Sequence, residues 1–517
     1  MALLRPPTRA LRSLTRSGVP LSTTIPPARL PTIARSRSIS IRSSLRQASP
    51  APASEQHAHA HAQPPPPTSS SSSHASTSSS SSLPSITSTD TQVRITWISG
   101  IESRYHHVWL RDHCRCPSCY HPKTKQRLLD TFAIPPTVQP ERVEATTEGL
   151  EVVWPLSAEG GEGSGPGEVA GTGAGTGAGQ HVSLFPWKWL RTHSYAPVLS
   201  PSTTPYERED LAGSDKTLWG SGIAAHPPTV QYEEVMSSDR GVWKWVEKIS
   251  QYGFSFVDGV PATPEATEEL IKRIAFIRET HYGGFWDFTS DLSHGDTAYT
   301  DLALGAHTDT TYFTDPAGLQ MFHLLSHEPS SQGVQPSGGA SLLVDGFLAA
   351  KVLRDVHPQA YETLSAVRIS THSAGDEATL VRPLLTAGYP ILNHDPRTGK
   401  LVLVRYNNDD RSTLHLEEGE VEPFYDALRK WQEIITSKEG EYWEQLTPGR
   451  ALIFDNHRVL HGRSAFVGER RLCGAYVNHD DYRSRLAVLR QKYGKGGVRG
   501  GDGGGAGEGR GVWDDAL

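Results

Sequence analysis

His307-Thr308-Asp309 and, far downstream, His461 in the run Asn456–Arg463 offer two imidazoles and one carboxylate. Such a set can occupy one face of an Fe(II) octahedron and leave the opposite face open to a co-substrate and O2. The pattern points to an oxygenase rather than a hydrolase or a transferase.

His-x-Asp is a cheap pattern in a chain with 23 histidines, and it occurs here three times, at His294/Asp296, His307/Asp309 and His479/Asp481. No histidine follows His479, so that pair lacks a distal third ligand. His294 and Asp296 lie in a Ser- and Gly-containing run that gives little rigid support. His307 and Asp309 instead follow alternating Leu302 and Leu304. Thr310, Thr311, Tyr312 and Phe313 come next, β-branched and aromatic side chains that suit a strand. Residues i and i+2 of a strand point the same way, so both ligands would face one metal. His461 follows a Pro448-Gly449 turn and a short apolar strand over 451–454. Any one of these residues reads better as an ordinary hydrogen-bonded side chain. The ordered set favours a metal.

A second cluster is Cys114, Cys116 and Cys119, three of the four cysteines. A disulfide framework needs pairs spread along a chain in an oxidising compartment. Zn2+ takes four tetrahedral soft or borderline ligands. Three thiolates leave one vacancy, and His181 is the expected fourth ligand; His113 and His121 lie so close that they would strain the loop. Unligated exposed thiols would oxidise readily. Cys473 stands alone and reads as a small buried hydrophobe.

The elements that must position these groups follow from pattern. Residues 1–50 hold nine arginines and no acid, which reads as a mitochondrial transit peptide. Residues 51–90 are a Pro/Ser/Ala/His low-complexity linker. From 91 to 200 a small β-rich domain is expected, with strands at Arg94–Ile98, Tyr105–Leu110, Gly149–Trp154 and His181–Phe185. A Gly-rich insertion at 160–179 reads as a surface loop, and a domain this small gains from a structural zinc. A larger domain spans 230–490. Thr263-Pro264 opens a helix there, a second runs over Pro423–Ile435, and strands are expected at Leu319–Phe322, Ser341–Val344 and Leu401–Val404. Ligands on strands with helices outside suggest a double-stranded β-helix, or jelly roll, so the fold class is mainly β with flanking helices. Residues 491–517 form a Gly-rich tail. The net charge of −7 hides the basic leader, and the folded part has no basic surplus that would favour nucleic acid. No apolar run is long enough to span a bilayer.

The runs His281–Trp286, Thr289–Tyr299, His307–Phe313, Leu343–Phe347 and His461–Arg463 resemble the γ-butyrobetaine/trimethyllysine dioxygenases. The wording of Phe288–Asp291 and Asp309–Phe313 is nearer to the trimethyllysine branch. The likeness covers about residues 91–485, while the Gly-rich insertion and the long leader depart from the family pattern. It implies a jelly-roll enzyme of carnitine biosynthesis that uses Fe(II), 2-oxoglutarate and ascorbate. It also implies a zinc-bearing N-terminal domain, a homodimer and a matrix location.

By the same resemblance, Fe(II) is held by His307, Asp309 and His461. Arg470 takes the far carboxylate of 2-oxoglutarate, with Arg471 as its rival, because one step of register swaps strand faces. A quaternary ammonium is best held by aromatic faces. Tyr282, Trp286 and Tyr299 match the family's cage, with Tyr476 beside them. Asp296 suits the α-ammonium of trimethyllysine, and Asn407 and Asn408 its carboxylate. The reading is C3 hydroxylation of trimethyllysine. Hydroxylation of γ-butyrobetaine is the neighbouring alternative, and a non-enzymatic metal-binding jelly roll that serves as an interaction module is the alternative of another class.

Overall fold

The computed structural model describes residues 83–155, 180–199, 216–289, 300–373, 381–396 and 398–494. The leader, the Gly-rich insertion, the Gly-rich tail, Asp296 and Tyr299 lie outside these residues. No described helix is long and apolar enough to cross a membrane.

The N-terminal part has two three-stranded antiparallel sheets. One joins Ser85–Ser88, Gln92–Thr96 and Glu102–His106, the other Arg142–Ala145, Gly149–Pro155 and Gln180–Pro186. Alternation puts Val93, Ile95, Leu150 and Val152 into a shared core with Tyr105, Trp154 and Phe185. The strand expected over Tyr105–Leu110 stops at His106, and His107–Asp112 is helical. The reason is a non-local one: Leu110 must turn inward to fill that core, while the Tyr105 hydroxyl bonds the Leu190 carbonyl at 2.7 Å.

The two sheets repeat one plan. Each is followed by a short helix carrying Trp-Leu-Arg-x-His, at Trp109–His113 and Trp189–His193. In both, the imidazole stacks on the indole, with ring centres 4.3 and 4.4 Å apart. Trp97 and Trp154 likewise each donate to a serine, Ser103 at 2.8 Å and Ser183 at 2.9 Å.

The C-terminal part is built on two larger sheets. One has seven strands, in the order Phe285–Thr289, Glu469–Val477, Leu319–Glu328, Arg450–Asp455, Phe254–Asp258 and Thr229–Gln231, with Ile277–Arg278 also paired to Glu469–Val477. The other has four, in the order Leu304–His307, Val459–Arg463, Ser341–Asp345 and Glu441–Glu444. Phe254, Phe256, Leu452 and Phe454 of the first sheet pack with Leu343, Tyr442 and Val459 of the second.

Helices cover the outer faces. Asp239–Tyr252, Pro264–Lys272 and His479–Tyr493 share an apolar cluster with Leu319, Met321 and Ile453. Ser238 caps the first and Thr263 the second, each side-chain oxygen accepting an early N–H. Gly346–Val356, Pro358–Ala366 and Glu418–Ile435 pack with Leu342, Val344 and Leu460. The last of these begins five residues before the expected Pro423, because Glu417 and Glu420 form a capping box. The protein is mainly β with flanking helices.

Candidate functional site

Register brings two of the three expected iron ligands together. His307 and His461 are directly opposed across antiparallel strands, and their ring centres lie 4.3 Å apart. Asp309 arrives differently from the expectation. The strand ends at His307, and Asp309 sits in the turn that follows, not at position i+2 of a strand. Thr310 has φ +56°, which a β-branched residue rarely adopts, and this reverses the chain at once. The Thr310–Phe313 segment is therefore a turn rather than a strand.

Asn456 holds Asp309 in place. Its Oδ1 accepts the Asp309 N–H at 2.8 Å and its Nδ2 donates to the Asp309 carbonyl at 3.1 Å. Asp309 Oδ1 then lies 3.2 Å from His307 Nε2 and 3.6 Å from His461 Nε2. His307 Nδ1 lies 2.8 Å from the Gly305 carbonyl, which favours a proton on Nδ1 and leaves Nε2 free to ligate.

The electrostatics suit a cation. Burial pushes the His307 pKa down, but the hydrogen bond and charge of Asp309 outweigh it and lift the pKa to about 9. Burial would raise the Asp309 carboxyl, yet the two imidazoles hold it well below the usual range. Burial and the charge of His307 push His461 down to about 3. Two imidazoles and a carboxylate, all with ligand atoms within 4.8 Å of one another, fit a facial iron site.

These residues line a cavity of about 640 Å³. Arg470 is on its wall and 1% exposed. One of its nitrogens donates to the Gly339 carbonyl at 3.1 Å, while Nε and Nη1 are buried with no hydrogen-bond partner among the described residues. Burial and nearby Arg463 push its guanidinium down to about 10. A buried cation with two open donors fits a carboxylate such as the far end of 2-oxoglutarate. Arg471 points to the other face, where it pairs with Asp287 at 2.6 and 2.9 Å.

Tyr282, Trp286 and Tyr476 gather at one end of the cavity. The rings of Trp286 and Tyr476 meet edge to face at 5.2 Å. Tyr312, which sequence reasoning took for strand support, joins them, its hydroxyl 3.2 Å from that of Tyr282. Asn407 and Asn408 also line the cavity. Each is engaged locally as well: Asn407 accepts the Asp409 N–H at 3.0 Å, and Asn408 accepts from Arg411 at 3.4 Å. Gln320, unremarked in the sequence, donates to Asp309 Oδ2 at 2.7 Å.

The cysteine cluster closes as expected. His181 Nε2 lies 3.3, 3.7 and 3.5 Å from the sulfurs of Cys114, Cys116 and Cys119. The hydrogen bond between Cys114 and Cys119 lowers the Cys119 thiol and raises that of Cys114, so the pair shares one proton, and His181 and Arg111 further favour the thiolate on Cys119. Three sulfurs and one imidazole fit Zn2+. His113 is stacked on Trp109, and His121 Nδ1 accepts the Thr124 N–H at 3.0 Å.

Residues 209–476 match the Taurine catabolism dioxygenase TauD, TfdA family, and residues 85–161 match the Gamma-butyrobetaine hydroxylase-like, N-terminal family. Trimethyllysine dioxygenase of Neurospora crassa is 43% identical over 73% of this chain and 79% of its own length. The chain belongs to the trimethyllysine dioxygenase family. The Homo sapiens relative, named Trimethyllysine dioxygenase, mitochondrial, is 38% identical over 75% of this chain and 83% of its own. Gamma-butyrobetaine dioxygenase of Pongo abelii is more distant, at 28% over 77% and 95%. As a member of this family the chain is an Fe(II)/2-oxoglutarate-dependent dioxygenase.

Proposed function

We propose that the chain hydroxylates N6,N6,N6-trimethyllysine at C3, giving 3-hydroxy-trimethyllysine, succinate and CO2, the first step of carnitine biosynthesis. The observation that carries this reading is one cavity holding the His307/Asp309/His461 set, the open donors of Arg470 and an aromatic corner. The greater identity to trimethyllysine dioxygenases than to the γ-butyrobetaine enzyme favours the branch.

His307, Asp309 and His461 would hold Fe(II), which with 2-oxoglutarate and O2 supplies the oxidising power to replace a C–H hydrogen by hydroxyl. Arg470 fixes the co-substrate by its far carboxylate. Tyr282, Trp286, Tyr476 and Tyr312 offer ring faces to the trimethylammonium, a cation that accepts and donates no hydrogen bond. Asn407 and Asn408 would meet the substrate carboxylate. Asp296 would meet the α-ammonium, and Tyr299 would complete the cage; both lie outside the described residues. Phe288, Phe322 and Phe454 give the cavity an apolar wall that would limit water around a bound substrate.

Cys114, Cys116, Cys119 and His181 would hold a structural Zn2+. A mitochondrial location follows the names of the mammalian relatives, and the basic, acid-free first fifty residues agree with it. Ascorbate as reductant, the matrix and a homodimer complete the proposal.

The test supplies purified protein with Fe(II), ascorbate and 2-oxoglutarate, and measures succinate with trimethyllysine and γ-butyrobetaine in parallel. Faster turnover of trimethyllysine supports the reading. Preference for γ-butyrobetaine would move the chain to the other branch, and substrate-independent behaviour would overturn both.

A further inference from the structure

We propose that Gln320 and Tyr476 are positioning residues that hold the Asp309 carboxylate so that only Oδ1 is presented to the metal; the inference rests on the iron reading above. Gln320 lies on Leu319–Glu328 and Tyr476 on the neighbouring strand Glu469–Val477, directly opposite one another. Directly opposed residues of antiparallel strands share a face. Both side chains therefore reach the same atom: Gln320 Nε2 donates to Asp309 Oδ2 at 2.7 Å, and the Tyr476 hydroxyl donates to it at 2.6 Å. The other oxygen, Oδ1, is the one that faces His307 Nε2 and His461 Nε2.

Two donors on Oδ2 have a consequence for ligation. To chelate a metal with both oxygens, the carboxylate would have to break two charge-assisted hydrogen bonds. Its backbone cannot swing to compensate, because Asn456 binds both the N–H and the carbonyl of Asp309. One coordination position is thus kept clear for the co-substrate or O2 by residues that do not ligate. Gln320 carries a further mark of function: it is 2% exposed, and its Oε1, on the wall of the cavity, is buried with no hydrogen-bond partner among the described residues. A buried amide oxygen of this kind is costly unless a bound molecule or water supplies a donor.

Tyr476 does two separable jobs. Its hydroxyl holds Asp309, and its ring packs edge to face with Trp286 in the aromatic corner. Gln320 does only the first.

The test uses the full chain with zinc kept on Cys114, Cys116, Cys119 and His181 and the iron ligands freed of metal, and compares wild type with Gln320→Met, Tyr476→Phe and Tyr476→Leu. Co(II) affinity is read by visible absorption, folding by circular dichroism of the apo-protein, and KM for trimethyllysine by product formation. Gln320→Met and Tyr476→Phe should each weaken Co(II) binding roughly 10–100-fold. Both should keep the apo spectrum, so that the lost affinity is not a loss of fold. Tyr476→Leu should lose metal affinity and raise KM together. Wild-type Co(II) affinity in folded Gln320→Met and Tyr476→Phe would overturn the inference. A wild type that binds neither Co(II) nor Fe(II) would overturn the iron reading itself, a distinct result.

Discussion

His307 and His461 face each other across the outer strand pair of the four-stranded sheet, with ring centres 4.3 Å apart. They lie 154 positions apart in sequence (461 − 307), so their meeting is a product of register. Three residues before His461, Arg458 is locked by a two-pronged, fully buried ion pair to Asp345 at 2.8 and 3.0 Å. Asp345 also caps the helix Gly346–Val356. The turn that feeds the His461 strand is therefore fixed to the helical layer.

That register leaves no room at Gly462. A Cβ there would lie 2.5 Å from the Leu304 carbonyl oxygen and 3.0 Å from that of Gly305, both backbone atoms. Gly462→Ala should push the two ligand strands apart, at a cost of about 1–3 kcal/mol in stability. Turnover should drop on the order of 100-fold through misplaced ligands. Urea unfolding and succinate rate check this; wild-type turnover in Gly462→Ala would show that the strand spacing does not set the site.

Arg470 and Arg471 should separate cleanly. Arg470→Met removes the buried cation of the cavity and should raise KM for 2-oxoglutarate roughly 10–100-fold, since hydrogen bonds to charged groups contribute about 1.5–3 kcal/mol. Arg470→Lys should restore only part, because an ammonium lacks the planar fork. Arg471→Ala breaks an exposed pair with Asp287 and should leave that KM unchanged. Initial rates against 2-oxoglutarate concentration decide between them, and the reverse ranking would reassign the anchor.

Acid should destabilise the catalytic part through His323. Burial pushes its pKa down to about 4. It is neutral in the fold, where Nε2 accepts the Gly449 N–H at 3.2 Å and Nδ1 meets Thr267 Oγ1 at 2.8 Å. The folded pKa lies below the unfolded value of about 6.5, so unfolding takes up a proton. The stabilisation is complete above pH ~6.5 and is lost as pH falls toward ~4, about 2 kcal/mol of it between pH 7 and 5. His323→Gln should flatten the urea stability curve by that amount in this window. Parallel wild-type and His323→Gln curves would refute the assignment.

The cysteine cluster should hold one zinc per chain, distinct from the iron site. Cys119→Ala should lose zinc by elemental analysis and lower the melting temperature of the N-terminal part, as structural zinc sites contribute directly to folding. Co(II) binding at the iron ligands should persist. Zinc retained at full occupancy in Cys119→Ala would exclude the four-ligand site.

Much of this was legible because it is local. Alternation marks a strand at Arg94–Ile98, which the structure places two residues earlier at Gln92–Thr96, and a short apolar run marks Ser341–Val344. Thr263-Pro264 marks a helix start, and His-x-Asp with a distal histidine marks the ligand set. Which of Arg470 and Arg471 lines the cavity depends on one step of register, and the pairing with Leu319–Glu328 puts Arg470 there. What was hidden depends on partners far along the chain. Asp309 leaves the strand because Thr310 turns at φ +56° and Asn456, 147 residues on, receives its backbone. Gln320 reads as one polar residue in an apolar strand until Tyr476 and Asp309 are placed beside it. The helix at His107–Asp112 competes with a β-like composition and wins because Leu110 completes a core made from both sheets.

The most direct measurement is turnover of trimethyllysine under 18O2 with the iron-loaded protein, followed by mass spectrometry of both products. One labelled oxygen is expected in 3-hydroxy-trimethyllysine and one in succinate, in equal amounts. Unlabelled hydroxylated product, or succinate formed without it, would contradict the assigned chemistry.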